Sequence, residues 1–128
     1  MTRRVDTSRT DKGRHSQARG VTAETHAATA LEQEGWTILV RRLLTGAGEI
    51  DLVAERDGIL AFVEVKARPT LTDAAWALGL KQRLRLLAAA EVALAENPGW
   101  GRAGTRFNVM LVDAYGAVRR ITDAFRAE

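Results

Sequence analysis

Apolar residues recur along this chain with two different periods, and the change from one to the other marks out its elements. Between residues 22 and 34 the run TAETHAATALEQE is rich in helix formers and sets Glu24, Ala27, Ala28 and Leu31 at the i, i+3, i+4, i+7 spacing of one helical stripe. Thr22 fits an N-cap there and Gly35 a C′ stop. The period then shortens to two. WTILVR (36–41) has the composition of a short strand, and two longer strands follow at 49–55 and 59–68, joined by Asp57-Gly58 and ended by Pro69. A short helix is predicted over 72–78 with Gly79 as a break, and a longer one from Leu80 to about Glu96, ended by Asn97-Pro98-Gly99. Its expected packing stripe is Leu80, Leu84, Leu87 and Ala88. RFNVMLV (106–112) and AVRRIT (117–122) read as a last strand pair, with Phe125 a late core anchor. Helix, three strands, helix and one or two strands make an α/β domain with a small mixed sheet.

Alternation sorts the two long strands into faces. Ile50, Leu52 and Ala54 share one with Ala61, Val63 and Val65, and this apolar side is the expected core side. The other side carries Glu49, Asp51, Val53 and Glu55 beside Leu60, Phe62, Glu64 and Lys66. A two-residue turn at Asp57-Gly58 pairs Arg56 with Ile59, which sets Asp51 opposite Glu64 and Glu49 opposite Lys66. Like charges directly opposed weaken a sheet. A divalent cation bridging Asp51 and Glu64 would explain them, since Mg²⁺ is often held by only one or two carboxylates and keeps several waters. Two other readings stay open here: solvent-exposed charges with a weak Glu49–Lys66 pair, or a bulge that shifts the register by one. Glu24 on the apolar stripe of the first helix points a further carboxylate toward the core, unless it lies in the first turn and complements the helix dipole. Lys81, Gln82 and Arg85 at the start of the second helix offer a basic face to phosphate, or form an ordinary solvated face.

Composition narrows the setting. The 128 residues, 46% hydrophobic, suit one domain, and the absence of cysteine excludes disulfides and thiolate metal sites and fits a reducing cytoplasm. No apolar run is long enough to span a bilayer, so a soluble protein is expected. Residues 1–20 hold six Lys/Arg against two Asp, whereas 21–128 are nearly neutral. A basic tail without fixed structure is therefore expected up to about Gly20, ahead of a single domain over 21–128. His26 is offset from the helical stripe and is expected exposed, and Trp36, Trp76 and Trp100 are scattered as packing anchors.

The motifs together resemble a known family. G-x-x-x-E at 20–24, GEIDLVA at 48–54, FVEVKAR at 62–68, Lys81-Gln82, RF at 106–107 and AF at 124–125 are similar to the YraN-like family of uncharacterised bacterial proteins, over about residues 20–126. That family looks like a branch of the PD-(D/E)XK nuclease superfamily, close to Holliday junction resolvases. The resemblance implies a restriction-endonuclease-like αβββαβ core and a nuclease acting on DNA, branched or structured, with Mg²⁺ or Mn²⁺ as cofactor. It implies that Asp51, Glu64 and the carbonyl of Val65 hold the ion, that Lys66 orients or deprotonates the attacking water, that Glu24 holds a water beside the ion and that Glu49 tethers Lys66. Lys81 and Gln82 would match the polar helix position, and a homodimer is implied because many such nucleases cut two strands. The sequence departs from the family where Asn108 replaces the usual Asp after RF and where VRRLLTGA replaces the usual Asn and Arg before GEID. A nuclease-like protein that binds nucleic acid or acts as an adaptor without turnover is the alternative.

Overall fold

A computed structural model describes residues 11–71 and 79–121. The helix expected over 72–78 and Phe125 lie outside the described residues. The elements are α1 (Asp11–Gln33), β1 (Thr37–Thr45), β2 (Gly48–Arg56), β3 (Ile59–Ala67), α2 (Leu80–Glu96), β4 (Gly104–Val112) and β5 (Val118–Ile121). The strands form one five-stranded sheet in sequence order, antiparallel except for the parallel β3–β4 pair that α2 connects. The expected α/β fold with its αβββαβ order is present, and β5 adds an antiparallel edge.

Both helices differ from the sequence reading in instructive ways. α1 begins at Asp11, within the stretch expected to lack structure, because Lys12, Gln17, Ala18 and Arg19 are good helix formers that extend it backwards. Thr22 is therefore an interior residue and not an N-cap, and Glu24 is far from the first turn. The other end is as expected. Gly35 has φ 92°, its N–H bonds Glu32 O and the N–H of Trp36 bonds Leu31 O, the paired closure of a Schellman motif. In α2 the buried residues are Leu86, Ala89, Ala90 and Ala93, whereas Leu80 and Leu84 are 65% and 56% exposed. Of the expected stripe, Leu80, Leu84 and Ala88 face outward and only Leu87 packs partly against the sheet, while the small alanines bring the helix close to it.

The sheet is covered on both faces, not on one. Ala23, Ala27, Ala28 and Leu31 of α1 pack with Trp36, Leu52, Ala54, Ala61, Val63, Met110 and Val112. α2 packs against Ile50, Val53, Leu60, Phe62 and Phe107, the two phenylalanine rings stacked with centroids 5.7 Å apart. Leu52, Ala54, Ala61 and Val63 share the α1 face as the alternation predicts. Ile50 does not: it lies on the α2 face.

The cause is a local reversal shared by two strands. The β1–β2 register slips by a bulge between Ile38 and Val40, then runs Arg41↔Leu52 and Leu43↔Ile50. Between those pairs stands Arg42 with φ 57°, a left-handed conformation that costs a non-glycine residue about 1–2 kcal/mol. Val40 and Leu43 pack on the α2 side although they are three residues apart, so the facing of β1 flips at Arg42. Opposite it, β2 flips between Leu52 and Ile50.

The turn at Asp57-Gly58, with φ 55° and 80°, is the predicted two-residue type and pairs Arg56 with Ile59. Phe62→Ala should destabilise the fold by about 3–5 kcal/mol, whereas Leu84→Ala, on the outward stripe of α2, should stay within about 0.5 kcal/mol. Urea denaturation of the two variants measures both, and comparable losses would show that the leucine stripe packs after all.

Candidate active site

The pairing of β2 with β3 stops partway along both strands. The β2–β3 ladder runs from Arg56↔Ile59 to Leu52↔Val63 and ends there, one step before Asp51 and Glu64 would be partners. The Asp51 side chain replaces the lost ladder bond: Val65 N–H donates to Asp51 Oδ2 at 2.8 Å. β3 itself stays in place, because its parallel pairing with β4 continues through Glu64↔Val109 and Lys66↔Leu111 to Ala67↔Val112. Asp51 and Glu64 thus meet through their side chains, at the point where the strands part.

The electrostatics of this meeting follow from burial. Burial, the Asp51 charge and a hydrogen bond to Asp51 push the Glu64 carboxyl up from 4.5 to about 7, while Lys66 and Arg85 pull it down. The Asp51 carboxyl is also raised by burial, against which the Val65 amide and the Glu64 hydrogen bond act. A neutral Glu64 donating to an ionised Asp51 is the arrangement these effects describe. Glu24 reaches the same cluster from α1. It is 8% exposed, and burial and the Asp51 charge push its carboxyl up to about 7, with Arg42 acting the other way.

Of the predicted residues, Glu24, Asp51, Glu64 and Lys66 are brought together, and Val65 joins them through its amide. Glu49 pairs with Leu44 in the β1–β2 ladder and sets its carboxylate 3.9 Å from the Nε of Arg42. Arg42 is the residue that sequence reasoning missed. Its Nε lies 3.8 Å from Glu24 Oε1 as well, and nothing in the alternation of β1 points an arginine there. Arg85 is near enough to Glu64 to act on its charge, and its stem crosses Gly48, where a Cβ would come within 3.0 Å of Arg85 Cγ. The glycine of GEID thereby leaves room for the arginine. Lys81 and Gln82 are exposed one turn earlier on α2. Asn108, 1% exposed, lies on β4 beside Val63.

The donor chemistry fits a hard divalent cation. Two adjoining half-buried carboxylates repel one another when both are ionised, and Mg²⁺ or Mn²⁺ held by few carboxylates relieves that repulsion and completes its shell with water. Among the described residues no three Asp, Glu or His side chains converge on one ion position. The fit is therefore to a two-carboxylate site open to water.

The family profile of the uncharacterised protein family UPF0102 matches residues 23–112, which contain every residue of this cluster. The chain belongs to this family. UPF0102 proteins of Granulibacter bethesdensis, Azorhizobium caulinodans and Acidiphilium cryptum are 58%, 44% and 46% identical to it, covering 91%, 96% and 90% of this chain and 74%, 94% and 89% of theirs. UPF0102 is the YraN-like group to which the sequence motifs point. In fold, this UPF0102 chain is similar to the crystal structure of a protein of unknown function, AF1548, with a TM-score of 0.51 at 22% identity. The likeness covers 73% of this chain and 47% of that one, so the chain spans about half the length of the solved protein. No helix among the described residues is long and apolar enough to cross a membrane.

A carboxyl raised in the folded state binds a proton that the unfolded chain has already released. With Glu24 and Glu64 moved from 4.5 to about 7, stability of the metal-free protein should fall as pH rises from about 4.5 to 7 and level off above. Each group contributes up to about 1.4 kcal/mol per pH unit within that window. Denaturant midpoints in chelator at pH 5 and pH 7.5 measure the drop, and Glu64→Gln should lessen it, leaving the share of Glu24; an equal drop in that variant would show that Glu64 is not one of its sources.

Proposed function

We propose that this protein is a divalent-metal-dependent nuclease that hydrolyses phosphodiester bonds in DNA, with branched or structured DNA as the preferred form. The observation that carries the reading is the Asp51–Glu64 pair at the parting of β2 and β3, with Lys66 two residues along the same strand. Asp51 and Glu64, with the Val65 carbonyl, would hold Mg²⁺ or Mn²⁺. When bound, such an ion supplies an activated water and neutralises charge on the phosphoryl oxygens.

The protein's own groups do the rest. Lys66, whose charge already acts on Glu64, would orient or deprotonate the attacking water and stabilise negative charge as it develops on the phosphate. Glu24 accepts from a water and fixes its position. Arg85, steadied against Gly48, and the exposed Lys81 and Gln82 would take up phosphates of the flanking backbone. The anchoring of β3 by β4 supports this assignment, because a reacting group must hold its place to a fraction of an ångström.

Linear, flapped and four-way DNA incubated with Mn²⁺ should be cut by the wild-type protein, and Asp51→Asn and Lys66→Ala should each slow the cut by at least about 100-fold. Cleavage that persists equally in both variants would defeat the assignment. Salt-sensitive DNA binding by the wild type with no cleavage of any substrate would favour the adaptor instead.

A further inference from the structure

Two consecutive residues of β1 reach the same helix. Arg41 donates from Nη1 to Thr25 Oγ1 at 3.5 Å, and Arg42 sets its Nε 3.8 Å from Glu24 Oε1. In a regular strand successive side chains leave opposite faces, so one of the two should point to α2. The left-handed φ at Arg42 breaks the alternation and turns both toward α1. The backbone there is held in a conformation that arginine disfavours, and the result is a guanidinium delivered to a cluster of carboxylates.

That guanidinium stands among residues of three elements. Glu24 comes from α1 at 3.8 Å and Glu49 from β2 at 3.9 Å, and both distances are to the same Nε. Asp51 faces Arg42 between the flanking pairs Arg41↔Leu52 and Leu43↔Ile50, and the Arg42 charge acts on it too. Neither contact is a short, two-pronged arginine–carboxylate bond of the kind that locks geometry. The guanidinium acts through its charge, held about equally from two carboxylates, and its side chain is 29% exposed.

We propose that Arg42 is a positioning residue for the metal site, a resident cation that gathers Glu24 and Glu49 beside Asp51 and moderates how tightly the Asp51–Glu64 side takes a divalent ion. The inference rests on the metal-site reading above. It follows from charge alone: a fixed positive group close to Asp51 repels an arriving dication while it neutralises the carboxylates that would otherwise repel one another. It also gives the left-handed residue a reason, since that conformation brings the charge to the cluster.

Calorimetry with Mn²⁺ alone, at constant pH, on the wild type and the Arg42→Asn, Arg42→Lys and Asp51→Asn variants tests this. Asparagine tolerates the left-handed conformation and removes the charge. Arg42→Asn should bind Mn²⁺ about tenfold more tightly than the wild type, the gain shrinking as salt is raised. Arg42→Lys should return the wild-type affinity, and Asp51→Asn should bind no Mn²⁺. A residue needed only for structure gives the opposite sign, a weaker affinity that tracks a lower Tm. Unchanged or weaker binding by folded Arg42→Asn overturns the proposal, and if the wild type binds Mn²⁺ and Asp51→Asn does not, the metal-site reading survives that result. Absence of Mn²⁺ binding in both the wild type and Arg42→Asn overturns the metal-site reading and the role of Arg42 together.

Discussion

Asp51 and Glu64 are held side by side in a space where the two carboxylates cannot both ionise without opposing each other. Most of the architecture around them can be understood as accommodating that pair. The turn at Asp57-Gly58 sets the β2–β3 register that leads to it, and the ladder stops at Leu52↔Val63, where the Asp51 side chain takes the Val65 amide. A backbone donor that would be costly to leave unsatisfied is thereby bonded to a side-chain acceptor. β3 does not follow β2 away, because its pairing with β4 is complete as far as Ala67↔Val112. One strand departs, and the other presents Glu64, Val65 and Lys66 from a firm base.

The irregular backbone lies next to the chemistry and the regular backbone lies behind it. Left-handed Arg42 and the reversal between Leu52 and Ile50 occupy neighbouring strands, flanked by the buried side chains of Leu52 and Ile50 themselves. Strained residues of this kind persist only when the packing around them fixes them. Here Ile50, Val53 and Phe62 under α2, and Leu52 and Val63 under α1, supply that packing. Family membership covers this whole region, and the solved structure with the similar fold shares the scaffold.

What could be read from the sequence was whatever a local rule determines. Gly35 and Asp57-Gly58 are positions where left-handed backbone is needed and glycine supplies it, so the end of α1 and the turn of the hairpin were both legible. Glu24 was legible because helical spacing fixes its stripe wherever the helix begins. Ile50 was not, since strict alternation carries it to the α1 face and the reversal opposite Arg42 carries it to the other. The buried face of α2 was misread because large leucines were weighted over alanines, although Ala89, Ala90 and Ala93 are what the close approach to the sheet requires. Arg42 had no signal of its own: an arginine in a strand reads as surface, and its reach to Glu24 depends on a backbone angle that no residue type there demands.

The same backbone irregularities affect the outer boundary of the sheet. β1 is an edge strand of nine residues, long enough to invite a further strand alongside it. The bulge after Ile38 and the left-handed residue at Arg42 interrupt the even row of amides and carbonyls that such an addition would need. At the opposite boundary β5 has four residues among those described. Among the described residues, then, the irregularities that turn Arg42 toward α1 also leave the outer side of β1 a poor template for a further strand.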